Sequence, residues 1–190
     1  ISMKRLAIFG SKSGSNAENL YNYFLGSEEI KIVCFCTNNK EAFIVKRAKK
    51  LAVPVIFASK KDLIKFDLLS KKLKKFKVDY IVLAGFLLKI PEKMLRSYPK
   101  KIINIHPSLL PKYGGRGMYG LRVHQAVLAN KEKESGITIH FVNKNYDEGE
   151  IILQKSCPIT SLETIESLEK KIQALEFDYF PKTIKSLILK

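Results

Sequence analysis

The chain has no tryptophan, and among its 190 residues it has only three cysteines, three histidines and 18 acidic residues against 34 basic ones. Each shortage excludes something. Three cysteines cannot close into a set of disulfides, so Cys34, Cys36 and Cys157 read as reduced, buried thiols of a cytoplasmic protein. Cys34-x-Cys36 lacks a second ligand pair at metal-binding spacing, and no metal is expected. No apolar run reaches the roughly 18 residues of a membrane span, and no signal peptide opens the chain. Ile1-Ser2, ahead of Met3, read as an addition before a native start at Met3.

The deficit of acidic residues leaves a net charge of +16, which raises nucleic-acid binding as a function. The lysines are scattered, however, as in Lys71-Lys72, Lys74-Lys75, Lys100-Lys101 and Lys170-Lys171. No arginine-rich arm, zinc pattern or aromatic RNA-binding motif accompanies them. The charge therefore reads as a solvated surface able to steer an anionic substrate, with no membrane and no specific nucleic acid as partner. A hydrophobic content of 46% suits a globular protein, and the length suits one domain over residues 1–190. Self-association into a homodimer stays open.

What the chain does contain is a regular alternation. Lys4–Phe9, Ile30–Cys36, Val53–Phe57, Tyr80–Ala84 and Ile102–Ile105 read as strands. Helices fall between them over Asn16–Leu25, around Glu41–Leu51, over Lys61–Phe76 and from Pro91 to Tyr98. Tyr80–Ala84 is continuously apolar, as in a parallel strand covered on both faces. Later come a helix over Leu121–Ala129 and strands over Gly136–Val142 and Ile151–Ser156, read as an antiparallel pair. Leu162–Leu189 reads as helix interrupted at Pro181. The expected fold is α/β: a doubly wound, mainly parallel, Rossmann-like sheet with antiparallel strands added in its C-terminal half.

Chemistry gathers at a few places. In Asn104-Ile105-His106-Pro107-Ser108-Leu109-Leu110-Pro111, strand alternation puts Asn104 and His106 on one face. There a carboxamide and an imidazole can donate to a carbonyl oxygen that gains charge, although a histidine capping a backbone carbonyl is the plainer reading. Gly10–Asn16 links the first strand to the first helix and is neither a Walker A loop nor Gly-x-Gly-x-x-Gly. Its backbone amides favour an anion, or it is a plain capped turn. Asp147-Glu148-Gly149 is hairpin-turn chemistry by itself. His140 falls out of phase with Ile139 and Phe141, which predicts solvent exposure or cross-strand packing. Gly114–Gly120 predicts a flexible surface loop, with covering of an active site as a second role.

Taken together, the octapeptide 104–111 resembles the signature of the folate-dependent formyltransferases. Gly14-Ser15-Asn16 is similar to that family's substrate-phosphate loop, Ser-Gly-x-Gly-Ser-Asn, with Lys12 where the family has glycine. Asp147 through Gln154 is similar to its D-x-G-x-x-[IL]-L-Q segment, and Ala84-Gly85-Phe86 to its A-G-[FYW] motif. The resemblance runs from Lys4 to about Pro181. It implies Asn104, His106 and Asp147 as catalytic residues. It also implies a ribonucleotide site at Gly14, Ser15, Asn16, Ala17, Glu18, Gln173 and Glu176. A site for the co-substrate 10-formyltetrahydrofolate follows at Phe86, Leu87, Leu88, Lys89, Ile90, Asn104 and Asn143, with no metal. The branch resembled most formylates the amine of 5-phosphoribosylglycinamide in purine biosynthesis. That amine is itself the nucleophile, so no serine or cysteine nucleophile is required. Formylation of methionyl-tRNA, for which the family uses a further C-terminal domain, is the alternative within the family, as is formylation of a sugar amine. A non-catalytic nucleotide-binding domain is the alternative outside it, against which the intact Asn104, His106 and Asp147 argue.

Overall fold

The computed structural model describes residues 2–190, so Ile1, half of the expected N-terminal addition, lies outside the described residues. Seven strands form one sheet in the order β3-β2-β1-β4-β5-β6-β7. The first five, β1 (Lys4–Phe9), β2 (Ile30–Thr37), β3 (Val55–Phe57), β4 (Tyr80–Leu83) and β5 (Ile102–His106), run parallel. The last two, β6 (Glu134–Phe141) and β7 (Ile151–Pro158), pair antiparallel. The mixed, mainly parallel sheet expected from the alternation is what forms.

Strand alternation builds two apolar layers. In β1, Leu6 and Ile8 enter one layer while Ala7 and Phe9 enter the other. The first layer is closed by α1 (Ser15–Phe24), α2 (Phe43–Lys50), α6 (Leu121–Ala129) and α7 (Ile165–Ile188), through Leu20, Ile44, Val123 and Phe180. The second is closed by α3 (Lys60–Lys65), α4 (Asp67–Lys75) and α5 (Glu92–Ser97), through Leu63, Leu69, Leu73 and Met94. Burying each such side chain contributes roughly 1.5–3 kcal/mol. Cys34 and Cys36, two residues apart on one face of β2, are buried in this second layer as free thiols, and burial pushes the Cys34 thiol up to about 12.

Two expectations about helices need correction. The single helix over Lys61–Phe76 is two helices. Phe66 adopts a left-handed conformation (φ 63°) and turns its ring into the second layer, where it is 5% exposed. Such a residue costs on the order of 1–3 kcal/mol, which burial of an aromatic side chain offsets. Nor does Pro181 interrupt α7, which continues through it and buries the ring. Proline leaves the carbonyl four residues earlier without its usual donor. That carbonyl belongs to Phe177, and the Asn19 side chain on α1 donates to it at 3.1 Å. Among the described residues no helix is long and apolar enough to cross a membrane.

The strand order reverses beside β1, so the segments after β1 and β4 diverge and leave a crevice at the strand carboxyl ends, where ligands of open α/β sheets bind. Ser11 holds the two segments together at the floor of this crevice. Its hydroxyl donates to Asn38 Oδ1 at 2.6 Å and accepts from the Leu87 amide at 3.0 Å.

Candidate active site

The crevice opens into a cleft of ≈ 590 Å³. One end is built on β5 and β6. Asn104 and His106 share a face of β5, and the antiparallel register sets His140 directly opposite Asn104. His140 is only 2% exposed, so the choice left open by the sequence resolves to burial against the neighbouring strand. Its Nδ1 lies 2.8 Å from the Phe141 carbonyl and must carry the hydrogen, which leaves Nε2 to accept from Asn104 Nδ2 at 3.0 Å. Burial holds this imidazole below its ordinary value, with the Phe141 and Asp147 interactions opposing that effect.

Asp147 arrives from the β6–β7 connection in a left-handed conformation (φ 55°), tolerable for a short polar side chain. Gly149, just beyond it, sits so close to the Phe141 carbonyl that no β-carbon fits there. The Asp147 carboxylate accepts from the Gly115 amide at 2.9 Å and from Asn104 Nδ2 at 3.4 Å, and it lies 3.6 Å from His106 Nδ1. Asp147, 43 residues beyond Asn104, thus meets Asn104 and His106 at one end of the cleft. His106 is 4% exposed, and its Nε2 is 2.7 Å from the Tyr113 carbonyl, which requires a hydrogen on Nε2 and turns Nδ1 toward Asp147.

The segment after β5 is held from three sides. Thr138 Oγ1 donates to the Ser108 carbonyl at 2.7 Å and accepts from the Leu110 amide at 3.0 Å. Gln154 donates to the Leu110 carbonyl at 2.9 Å, and the Tyr113 hydroxyl donates to Glu132 at 2.9 Å. The glycine-rich stretch 114–120 is therefore not just a surface loop: Gly115 is bonded to Asp147, and residues 115–120 wall the cleft. Its second expected role is the one the geometry favours. His124, on the first turns of α6, also lines the cleft; it is buried with its Nδ1 unpartnered, and burial holds its imidazole low.

The other end of the cleft is the turn into α1. Gly14 has φ 71°, and a β-carbon there would lie 2.6 Å from Ile44 Cβ, so this position needs glycine for conformation and for space. Gly14, Ser15 and Asn16 line the cleft, as do Gln173 and Glu176 of α7. Asn16 Nδ2 donates to Glu176 at 2.8 Å, while Asn16 Oδ1 is buried with no partner. Burial pushes the Glu176 carboxyl up to about 7; the Asn16 bond opposes this and the nearby Glu169 charge adds to it.

Two expected ribonucleotide contacts lie elsewhere. Ala17 is fully buried in the first core layer, and Glu18 is turned away to pair with Arg47 and, at 3.5 Å, with Lys50. On the expected folate side, Phe86 and Leu87 wall the cleft, with Phe86 edge-on to Phe9 at 5.3 Å. The side chains of Leu88, Lys89, Ile90 and Asn143 do not. Leu88 and Ile90 pack into the second layer, Lys89 lies over the Tyr146 ring at 5.9 Å, and Asn143 bonds the Glu148 carbonyl at 3.2 Å. Beyond the end of β4 at Leu83 the second layer takes up Leu88 and Ile90, which a motif read in register does not reveal. Among the described residues no cluster of His, Cys, Asp and Glu could hold a metal ion.

An Asn-x-His strand end, a carboxylate from the β6–β7 connection and a small-residue turn thus share one cleft of an α/β sheet. A family model described as formyl transferase matches residues 4–184, and the chain belongs to that family. Relatives that it resembles include phosphoribosylglycinamide formyltransferases. That of Haemophilus influenzae is 35% identical over 188 residues, covering 96% of this chain and 86% of that protein. The chloroplastic one of Vigna unguiculata is 37% identical over 190 residues, covering 97% of this chain. The chain spans 61% of the Vigna protein and 65% of the corresponding Arabidopsis thaliana protein. Among solved structures, the phosphoribosylglycinamide formyltransferase from Anaplasma phagocytophilum superposes with a TM-score of 0.88 at 34% identity, covering 98% of this chain and 88% of that one. The one from Bacillus halodurans gives 0.87 at 33% identity, covering 98% and 96%.

Proposed function

We propose that this chain transfers the formyl group of 10-formyltetrahydrofolate to the primary amine of 5-phosphoribosylglycinamide, a step of purine biosynthesis. The observation that carries the reading is the single cleft with Asn104, His106 and Asp147 at one end and the Gly14–Asn16 turn at the other. A phosphorylated amine held at the turn reaches its amine toward the three side chains. Phe86 and Leu87 offer an apolar wall that suits a flat heteroaromatic ring. A cytoplasmic location goes with the free, buried Cys34 and Cys36.

The folate supplies a formyl carbon: the amine nitrogen bonds to it, its bond to the folate nitrogen breaks, and one amine proton ends on that nitrogen. Asn104 has one Nδ2 hydrogen engaged by His140 and the other directed at Asp147 at 3.4 Å, longer than an ordinary bond of about 2.7–3.2 Å. Exchanging that weak contact for the formyl oxygen costs little and aims a donor at the atom that gains charge. His106, held through Nε2 by Tyr113, presents Nδ1 on the Asp147 side, 3.6 Å from the carboxylate that fixes the orientation of the ring. Asp147 accepts the amine proton and passes it on through water. Formyl transfer from 10-formyltetrahydrofolate to 5-phosphoribosylglycinamide, followed by folate absorbance, tests the proposal. Turnover supports it, and an inactive, folded protein overturns it.

A further inference from the structure

Lys12 stands where the resembled phosphate loop has glycine, and it does not point idly into solvent. Its Nζ lies 4.7 Å from the centre of the Tyr119 ring, and the Arg122 guanidinium lies 5.0 Å from the same ring. Tyr119 thus bridges two walls of the cleft: the turn after β1 and the first turn of α6. All three side chains line the cleft beside Gly14–Asn16, as does Arg116.

Among the described residues, none of the ion pairs within 4.0 Å includes Lys12, Arg116 or Arg122. The two cations on Tyr119 are nearer to each other than a Debye length of about 10 Å at 0.1 M salt, so salt screens their repulsion only in part. Stacking on the ring leaves each cation its full charge. An anion in the cleft that both side chains line relieves their mutual repulsion. Asn16 Oδ1, buried without a partner in the same part of the cleft, adds an acceptor suited to a hydroxyl. A phosphomonoester next to a polyhydroxylated ring carries both features.

We propose that Lys12 and Arg122, positioned by Tyr119, form a clamp on the substrate phosphomonoester that this chain adds to its backbone phosphate loop. This rests on the ribonucleotide reading above. The clamp sets specificity for the phosphorylated substrate, and Tyr119 acts through the two cations as a positioning residue.

Steady-state kinetics of Lys12→Gly, Arg122→Gln, Tyr119→Leu and Tyr119→Phe test it. The first three should raise KM for 5-phosphoribosylglycinamide about tenfold or more, change kcat less than about twofold, and leave KM for 10-formyltetrahydrofolate unaltered. Tyr119→Phe keeps the ring and should recover the ribonucleotide affinity that Tyr119→Leu loses. The rise of KM with salt should be steeper in the parent than in Lys12→Gly, an effect that a merely structural lesion does not produce. An unchanged ribonucleotide KM overturns the clamp. So does a larger rise in the folate KM, which would assign the cations to the carboxylates of the folate tail. If the parent protein shows no formyl transfer, the functional reading fails first. Calorimetric titration with ribose 5-phosphate then still decides the clamp, since Lys12→Gly must weaken that binding about tenfold or the clamp is wrong.

Discussion

His140 Nε2 and Asn104 Nδ2 lie 3.0 Å apart across the β5–β6 pair, with the two residues in direct register. The contact works only when the imidazole is neutral, because a hydrogen on Nε2 would face the amide hydrogens of Asn104. Tautomer, strand register and amide orientation are therefore one relationship. It leaves a single Asn104 hydrogen for the reacting carbonyl.

A pH dependence of stability follows. His140 and His124 both have imidazoles held below the ordinary value of about 6.5. In the unfolded chain they take protons near that value, and in the folded protein only at lower pH. Their contribution to stability is full above pH 6.5 and declines as pH falls from there through the folded values. Melting temperatures from pH 7.5 to 5 should drop on the acid side, and His140→Gln should flatten the drop. An equally steep profile in the variant would show that His140 is not the group responsible.

His106→Ala and Asp147→Asn should each lower kcat by about 10²-fold or more, as loss of a charge-stabilising or proton-moving group does. Circular dichroism should stay that of the parent, since both side chains face the cleft. Near-normal turnover in either purified variant removes that residue from the proposed mechanism.

Glu176 titrates near neutrality because its carboxyl is pushed up to about 7. Below that pH it is protonated. Above it, a carboxylate bonded to Asn16 becomes the stronger acceptor for a ribose hydroxyl. KM for the ribonucleotide should fall as pH rises through about 7, and Glu176→Gln should abolish the step. The step should persist with varied folate, and its survival in the variant would assign the titration to another group.

Gly14→Ala should weaken both folding and ribonucleotide binding. The left-handed conformation (φ 71°) costs roughly 1–2 kcal/mol with a β-carbon, and the overlap with Ile44 adds to this. At roughly 2–4 °C per kcal/mol for a chain of this size, the melting temperature should fall by at least several degrees. An unchanged melting temperature would mean that the turn and α2 move apart freely.

Local pattern was enough for the strands, for the parallel-then-antiparallel order and for pairing Asn104 with His106, because alternation is a property of neighbouring residues. Resemblance in the 104–111 and 147–154 segments pointed to Asp147 as the third member, and the fold carries it to 3.6 Å from His106. Other features arise from contacts between residues distant along the chain. His140 becomes part of the site through strand register, and the Tyr113 carbonyl and Gly115 amide through the path of the loop after β5. Phe66 splits a helix because the second layer accepts its ring, and Pro181 sits inside another because Asn19 satisfies the carbonyl that it leaves free. The inward or outward facing of Leu88 and Ile90, the turning of Glu18 toward Arg47 and the meeting of Lys12 with Arg122 on Tyr119 are likewise decided by packing. A one-dimensional pattern carries periodicity; it does not carry which surfaces meet.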